Sequence, residues 1–224
     1  MAWLLFLIIG IMHLVCLYAE IYTGLIITKC LLVPAAMLGL YLQTGLKQVV
    51  PRIIFAGLLL GWAGDIFLLG KGIVFFALGL VSFLLGHIFY IRAFSREVSM
   101  ARSTHLLMEK PYIILPFIAM LVHVICKFSS HITDIPAFPV YLYAFVILLM
   151  ALMAINRWYA VNFTSWLVVF TGSFLFIISD YALSVKFFTE DYPYSSLLIM
   201  ATYIPAQGLI AYGTAIMYPK PVSG

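Results

Sequence analysis

Two aspartates stand inside apolar, helix-length stretches: Asp65 in GLLLGWAGDIFLL (Gly57 to Leu69) and Asp180 in GSFLFIISDYAL (Gly172 to Leu183). In each, a Gly lies eight residues before the Asp and a Leu three residues after it. Lys29 is a third ionisable group within an apolar run. Such residues are costly in an apolar setting and either pair with one another or mark a functional site. One Lys neutralises one acid, so structural pairing alone leaves a carboxyl that must find another cation, hydrogen bonds or a proton. Burial disfavours the charged carboxyl and a nearby cation favours it. Two acids and one Lys can therefore hold one Asp protonated and the other ionised, the division of labour of general acid/base hydrolysis.

Other polar groups in apolar runs could support such a pair. His87 follows Gly86, which admits a close neighbour, and Tyr90 lies three residues further on. Tyr203 and Gln207 form an i, i+4 pair on one helix face, and Pro205 between them interrupts the backbone ladder, freeing carbonyls that side chains or water can satisfy. Ser179 adjoins Asp180. No H-x-x-x-H or E-x-x-H spacing gathers three metal ligands, no G-x-S-x-G elbow suggests a serine hydrolase, and no glycine loop suits a phosphate. Cys16, Cys30 and Cys126 stand singly in apolar segments and read as packing residues.

The elements that carry these groups follow from composition. Of the 224 residues 65% are hydrophobic and 9% charged, against about 25% charged in a soluble domain, so this is a membrane chain. Apolar runs fall at 3–19, 24–43, 52–69, 72–94, 111–127, 136–155, 162–184 and 195–217, each of bilayer-spanning length. They predict an all-α fold: a single domain, 1–224, built as an eight-transmembrane-helix bundle. Continuous runs exclude a β-barrel, and the longest and most polar loop is expected at 95–110. The first run has neither a cationic leader nor a small-residue cleavage site and is expected to remain as a helix. The formal charge of +4 with no basic run gives no reason to expect nucleic acid.

Orientation follows from Lys and Arg in short loops. Lys47, Arg52, Arg92, Arg96, Arg102, Lys110, Arg157 and Lys220 fall on the side of the termini, and Lys71, Lys127 and Lys186 on the other, with Glu20, Asp134, Glu190 and Asp191. Both termini are expected in the cytoplasm. On that topology Asp65, Asp180, Lys29 and Glu20 share one layer towards the non-cytoplasmic face, and His87 and Gln207 lie deeper, with Tyr203 a turn above Gln207. A cavity lined by the second, third, fourth, seventh and eighth runs is expected between the layers. The matched Gly-to-Asp spacing, with Phe83-x-x-x-His87 beside Tyr203-x-x-x-Gln207, suggests a weak repeat of the third and fourth runs in the seventh and eighth.

Taken together, Lys29-Cys30-Leu31, Gly64-Asp65, His87-x-x-Tyr90, Ser179-Asp180 and Met200-x-Thr202-Tyr203-x-x-x-Gln207 resemble the YhhN-type lysoplasmalogenase family, eight-span membrane enzymes of bacteria and animals. The family commonly carries Pro directly or shortly after the Lys, whereas Pro34 here comes five residues later. The resemblance implies hydrolysis of the vinyl ether bond of a lysoplasmalogen, a lysophospholipid with one vinyl-ether chain, to a fatty aldehyde and a glycerophosphocholine or glycerophosphoethanolamine. It implies Asp65 and Asp180 as the catalytic pair, with no cofactor and no metal. Ser179 and Tyr181 favour Asp180 as the ionised partner; Lys29 would set the pair's charge or meet the substrate phosphate, and His87, Tyr90, Tyr203 and Gln207 would orient water or glycerol hydroxyls. A bacterial cytoplasmic membrane and an animal endoplasmic reticulum both suit this topology. A proton-coupled carrier of a small solute or lipid is the competing class, since it too needs intramembrane Asp, His and Lys.

Overall fold

The computed structural model describes residues 1–101, 105–132 and 137–220. Of the sequence-based expectations, Arg102 and Asp134 in the charge comparison and residue 136, where the sixth run begins, lie outside the described residues. Those residues form α1 (Ala2–Tyr18), α2 (Tyr22–Thr44), α3 (Val49–Phe67), α4 (Ile73–Met100), the single turn α5 (Leu106–Glu109), α6 (Leu115–Phe128), α7 (Ala137–Asn156), α8 (Phe163–Phe188) and α9 (Ser195–Met217). Short 3-10 turns at Pro111–Ile114 and Arg157–Tyr159 lead into α6 and out of α7.

Among the described residues seven helices are long and apolar enough to cross a membrane. The eighth apolar helix, α1, has 17 residues, about 25 Å of rise. The protein is an all-helical integral membrane protein. Local sequence explains several helix ends. Gly45, at φ 60°, caps α2 in the left-handed conformation that glycine tolerates best. At the start of α8 the Asn162 side chain accepts the Ser165 N–H at 2.8 Å, satisfying one of the amides that a helix N-terminus leaves free.

The stretch 95–110 is not the long loop expected of it. Helix α4 continues to Met100 and α5 fills Leu106–Glu109. Glu97 does not face water: Arg157 Nε donates to its Oε2 at 2.6 Å, and both residues are buried. Arg157 also donates to Ser165 Oγ at 3.1 Å, and Ser165 Oγ donates to the Gly213 carbonyl at 2.8 Å. Charges that cancel within the bundle count as polar in a sequence window yet permit continued helix.

In lipid the helices associate through close packing rather than through exclusion of water. Helices α3 with α4 and α8 with α9 are the most extensively packed pairs, each through a glycine. A Cβ on Gly172 would stand 2.9 Å from the Ala206 carbonyl oxygen, and one on Gly57 would meet the Tyr90 ring. These are the two glycines that precede Asp65 and Asp180 by eight residues, so each acid lies about two turns beyond a tight helix crossing.

Candidate active site

Lys29 is held by the backbone around it. Pro34 has no N–H, so the carbonyl of Cys30, four residues earlier, lacks its helical donor. The Trp62 indole donates to that carbonyl at 2.9 Å, tying α2 to α3 one residue beyond Lys29. The position of Pro34 thus leaves free the carbonyl through which α3 is tied to α2. Across this contact Lys29 Nζ lies 3.7 Å from Asp65 Oδ1.

Asp65 then receives a directed chain of hydrogen bonds. Tyr90 donates to Gln207 Oε1 at 2.9 Å, Gln207 Nε2 donates to the Tyr203 oxygen at 3.0 Å, and Tyr203 donates to Asp65 Oδ2 at 2.6 Å. All four residues are buried. The tightness has a backbone cause: a Cβ on Gly61 would stand 2.8 Å from Gln207 Nε2, so only glycine at that turn of α3 leaves the amide its place.

Asp180 belongs to a second group. Tyr143 of α7 donates to its Oδ2, His87 Nε2 stands 3.1 Å from the Tyr143 oxygen, and the same His87 nitrogen lies 3.6 Å from Asp180 Oδ2. The Phe176 ring meets the His87 ring edge to face at 4.7 Å. His87 is therefore not a layer deeper than Asp180; the two side chains are in contact. Ser179 and Tyr181 do not serve Asp180, because Ser179 Oγ donates to the Ile199 carbonyl at 3.2 Å and the Tyr181 hydroxyl pairs with His123 at 2.9 Å. Glu20 does not join the acid layer either: it is exposed in the turn after α1, at φ 56°.

Two cavities meet at Asp180. The larger, about 540 Å³, is lined by α1, α2, α3, α8, α9 and the start of α4, and includes His13, Lys29, Asp65, Asp180, Lys186 and Tyr203. The smaller, about 60 Å³, is a mostly apolar slot among α3, α4, α6, α7 and α8 that includes Phe83, Met120, Val124, Tyr143 and Asp180. Asp180, Leu68, Phe76 and Leu183 border both. The expected cavity thus gains α1 as a wall and an apolar annex against α6 and α7. Among the described residues no group of three His, Cys, Asp or Glu side chains is placed to hold a metal ion, and the three cysteines are free.

Sequence reasoning missed Tyr143, His13, Lys186 and Ser196. Tyr143 is one aromatic in an uncharged apolar helix, so no signal distinguishes it from packing residues. His13 pairs with Thr28 at 2.8 Å, fifteen residues away and on a different helix, which no local spacing reveals. Lys186 has a visible signal, a cation at the end of a long apolar run, and was read only for orientation.

Fold and site define a polytopic membrane protein in which a buried acid, Asp65, and a partly buried one, Asp180, border one cavity. The sequence pattern of the YhhN family matches residues 24–214, and the chain belongs to that family. It is 30% identical over 173 residues to "Lysoplasmalogenase TMEM86A" of Bos taurus, covering 75% of this chain and 67% of the relative. It is likewise 30% identical over 181 residues to the Homo sapiens protein of the same name, with the same coverage of each chain. No solved structure matches.

Proposed function

We propose that the protein is a lysoplasmalogenase that hydrolyses the vinyl ether bond of a single-chain phospholipid with the Asp65 and Asp180 pair. The observation that carries this reading is the meeting, at Asp180, of a large cavity whose lining includes Lys29, Asp65 and Lys186 with a narrow slot lined by aliphatic and aromatic side chains. An amphiphile with the first carbons of its tail at the slot and its glycerol in the large cavity has its head-to-tail bond at Asp180. The family relationship and the names of the two mammalian relatives support the same chemistry.

A vinyl ether, R–CH=CH–O–R′, is protonated on the alkenyl carbon nearer the tail. The cation develops on the carbon bonded to oxygen, water adds there, and the hemiacetal collapses to R–CH2–CHO and R′–OH. The order of groups in the protein follows that polarity. Asp180, bordering the slot, gives its proton to the tail-side carbon, and His87 with Tyr143 returns a proton to it. Asp65, bordering only the large cavity and held by Lys29 and Tyr203, stabilises the oxocarbenium ion and orients the water. Asp180 is thus assigned the acid role, the reverse of the assignment its sequence neighbours favoured, since their hydroxyls bond elsewhere. Removing such an acid lowers rate by about 10²- to 10⁴-fold. These steps use carboxyl, phenol, imidazole and water alone, so a chelator leaves turnover unchanged.

The membrane arrangement proposed with this mechanism has eight crossings and both termini in the cytoplasm, with the large cavity opening on the opposite side. The test is aldehyde release from a lysoplasmenylcholine and a lysoplasmenylethanolamine by detergent-purified protein, without any gradient and with chelator present. Aldehyde from wild type, lost in Asp65→Asn and Asp180→Asn, supports the hydrolase. A folded wild type that leaves both lipids intact overturns it and favours a carrier.

A further inference from the structure

The large cavity contains two lysines, and they are differently engaged. Lys29 is 17% exposed and lies against Asp65, which is 3% exposed. Lys186, near the end of α8, is 30% exposed; it donates to Ser196 Oγ at 2.6 Å and lies 3.4 Å from Asp191 Oδ2. Asp191 is 66% exposed, and its Oδ1 accepts from Ser195 Oγ at 2.6 Å. Ion pairs this exposed are weak, so a competing anion displaces Asp191 from Lys186 at little cost.

From this geometry we infer that Lys186, Ser196 and Asp191 form a subsite for a zwitterionic phosphodiester headgroup, with the phosphate on Lys186 and Ser196 and the ammonium on Asp191. The inference rests on the amphiphile reading above and adds the recognition of its polar end. Lys29 is occupied by the buried acid, which leaves Lys186 as the cavity lysine available to phosphate. Ser196 stands in the first turn of α9, where a helix favours anions. Lys186 is six residues beyond Asp180 on α8, about 9 Å along the axis, a distance bridged by two side chains and the glycerol between a vinyl ether and its phosphate. Lys186, which lines the cavity, and the exposed Asp191 beside it complement a headgroup whose minus charge precedes its plus charge, counted from glycerol.

The test measures binding apart from turnover, by calorimetry on the detergent-purified full chain with non-cleavable 1-O-alkyl ligands. Wild type is expected to bind 1-O-alkyl-glycero-3-phosphocholine about tenfold more tightly than 1-O-alkylglycerol, the scale of one charge-assisted hydrogen bond. Lys186→Gln removes that preference and Lys186→Arg retains most of it. Asp191→Asn narrows the preference for phosphocholine over the corresponding phosphate monoester. Tail-free glycerophosphocholine competes for the site, whereas inorganic phosphate, lacking the ammonium, competes less well. Equal binding of the two alkyl ligands by wild type, or an undiminished preference in folded Lys186→Gln, overturns the subsite. Aldehyde release from both a 1-alkenylglycerol and its phosphocholine ester with equal KM sinks the subsite and leaves the hydrolase standing. Phosphocholine preference without any aldehyde does the reverse.

Discussion

The Tyr143 hydroxyl donates to the Asp180 carboxyl group, so the second intramembrane acid is held by α7, a helix without Asp, Glu, Lys, Arg or His. If this bond positions Asp180 and passes it a proton from His87, Tyr143→Phe keeps the fold and lowers kcat about 10- to 100-fold, the loss of one hydrogen bond to the carboxylate that Asp180 becomes as its proton leaves. KM should change less than twofold. Steady-state kinetics check this, and an unchanged kcat removes Tyr143 from the mechanism.

Proton transfer to carbon leaves an isotopic record. Turnover in deuterium oxide should place one deuterium on the aldehyde carbon next to the carbonyl and slow kcat. Mass spectrometry of freshly trapped aldehyde reads the first and initial rates the second. Aldehyde free of deuterium argues against protonation by Asp180.

Lys29→Met takes the cation from a buried carboxylate. Breaking a buried pair from one side costs about 3 to 5 kcal/mol in soluble proteins, and less in membranes because an unfolded reference also finds partners. Thermal unfolding in detergent should show Lys29→Met less stable than wild type and Lys29→Met/Asp65→Leu recovering part of the loss. A double variant no more stable than Lys29→Met shows that Lys29 acts through something other than Asp65.

The Glu97 and Arg157 pair gives a control away from the acids. Arg157→Gln leaves Glu97 buried without its guanidinium and is expected to lower stability, by less than the about 3 to 5 kcal/mol of a soluble protein, with kcat per folded molecule unchanged. A loss of kcat at full stability would assign that pair to catalysis instead of packing.

Outside the spans, the Ser195 hydroxyl bonded to Asp191, aided by Lys186, holds that carboxyl below its ordinary 3.8. A carboxyl depressed in the folded state stabilises above its unfolded pKa, and the contribution is lost as pH falls through the folded value. The melting-temperature difference between wild type and Asp191→Asn should therefore be full at pH 5 and above and vanish as the solution is taken below the depressed value. A difference that persists at the acid end places the effect elsewhere.

Much of this protein is written along the chain. Long apolar runs specify helices because backbone polar groups in lipid must be satisfied within the segment. Asp65, Asp180 and Lys29 are conspicuous because charge is rare in such runs, and the i, i+4 spacing of Tyr203 and Gln207 places them on one face of α9. The reach of α4 to Met100 was not legible, because Glu97 finds its counter-charge in Arg157, 60 residues away. Which acid each cation and phenol serves was not legible either. Lys29 meets Asp65 and not Asp180 because α2 packs on α3, fastened by a tryptophan bond to a carbonyl that Pro34 leaves free. Tyr143 reaches Asp180 because α7 closes the slot against α4 and α8. Side-chain type and spacing determined which residues could do chemistry, since periodicity and the cost of buried charge are local. Their partners were decided only by tertiary packing, because a hydrogen bond depends on ångström-scale placement of helices whose separation in sequence carries no such information.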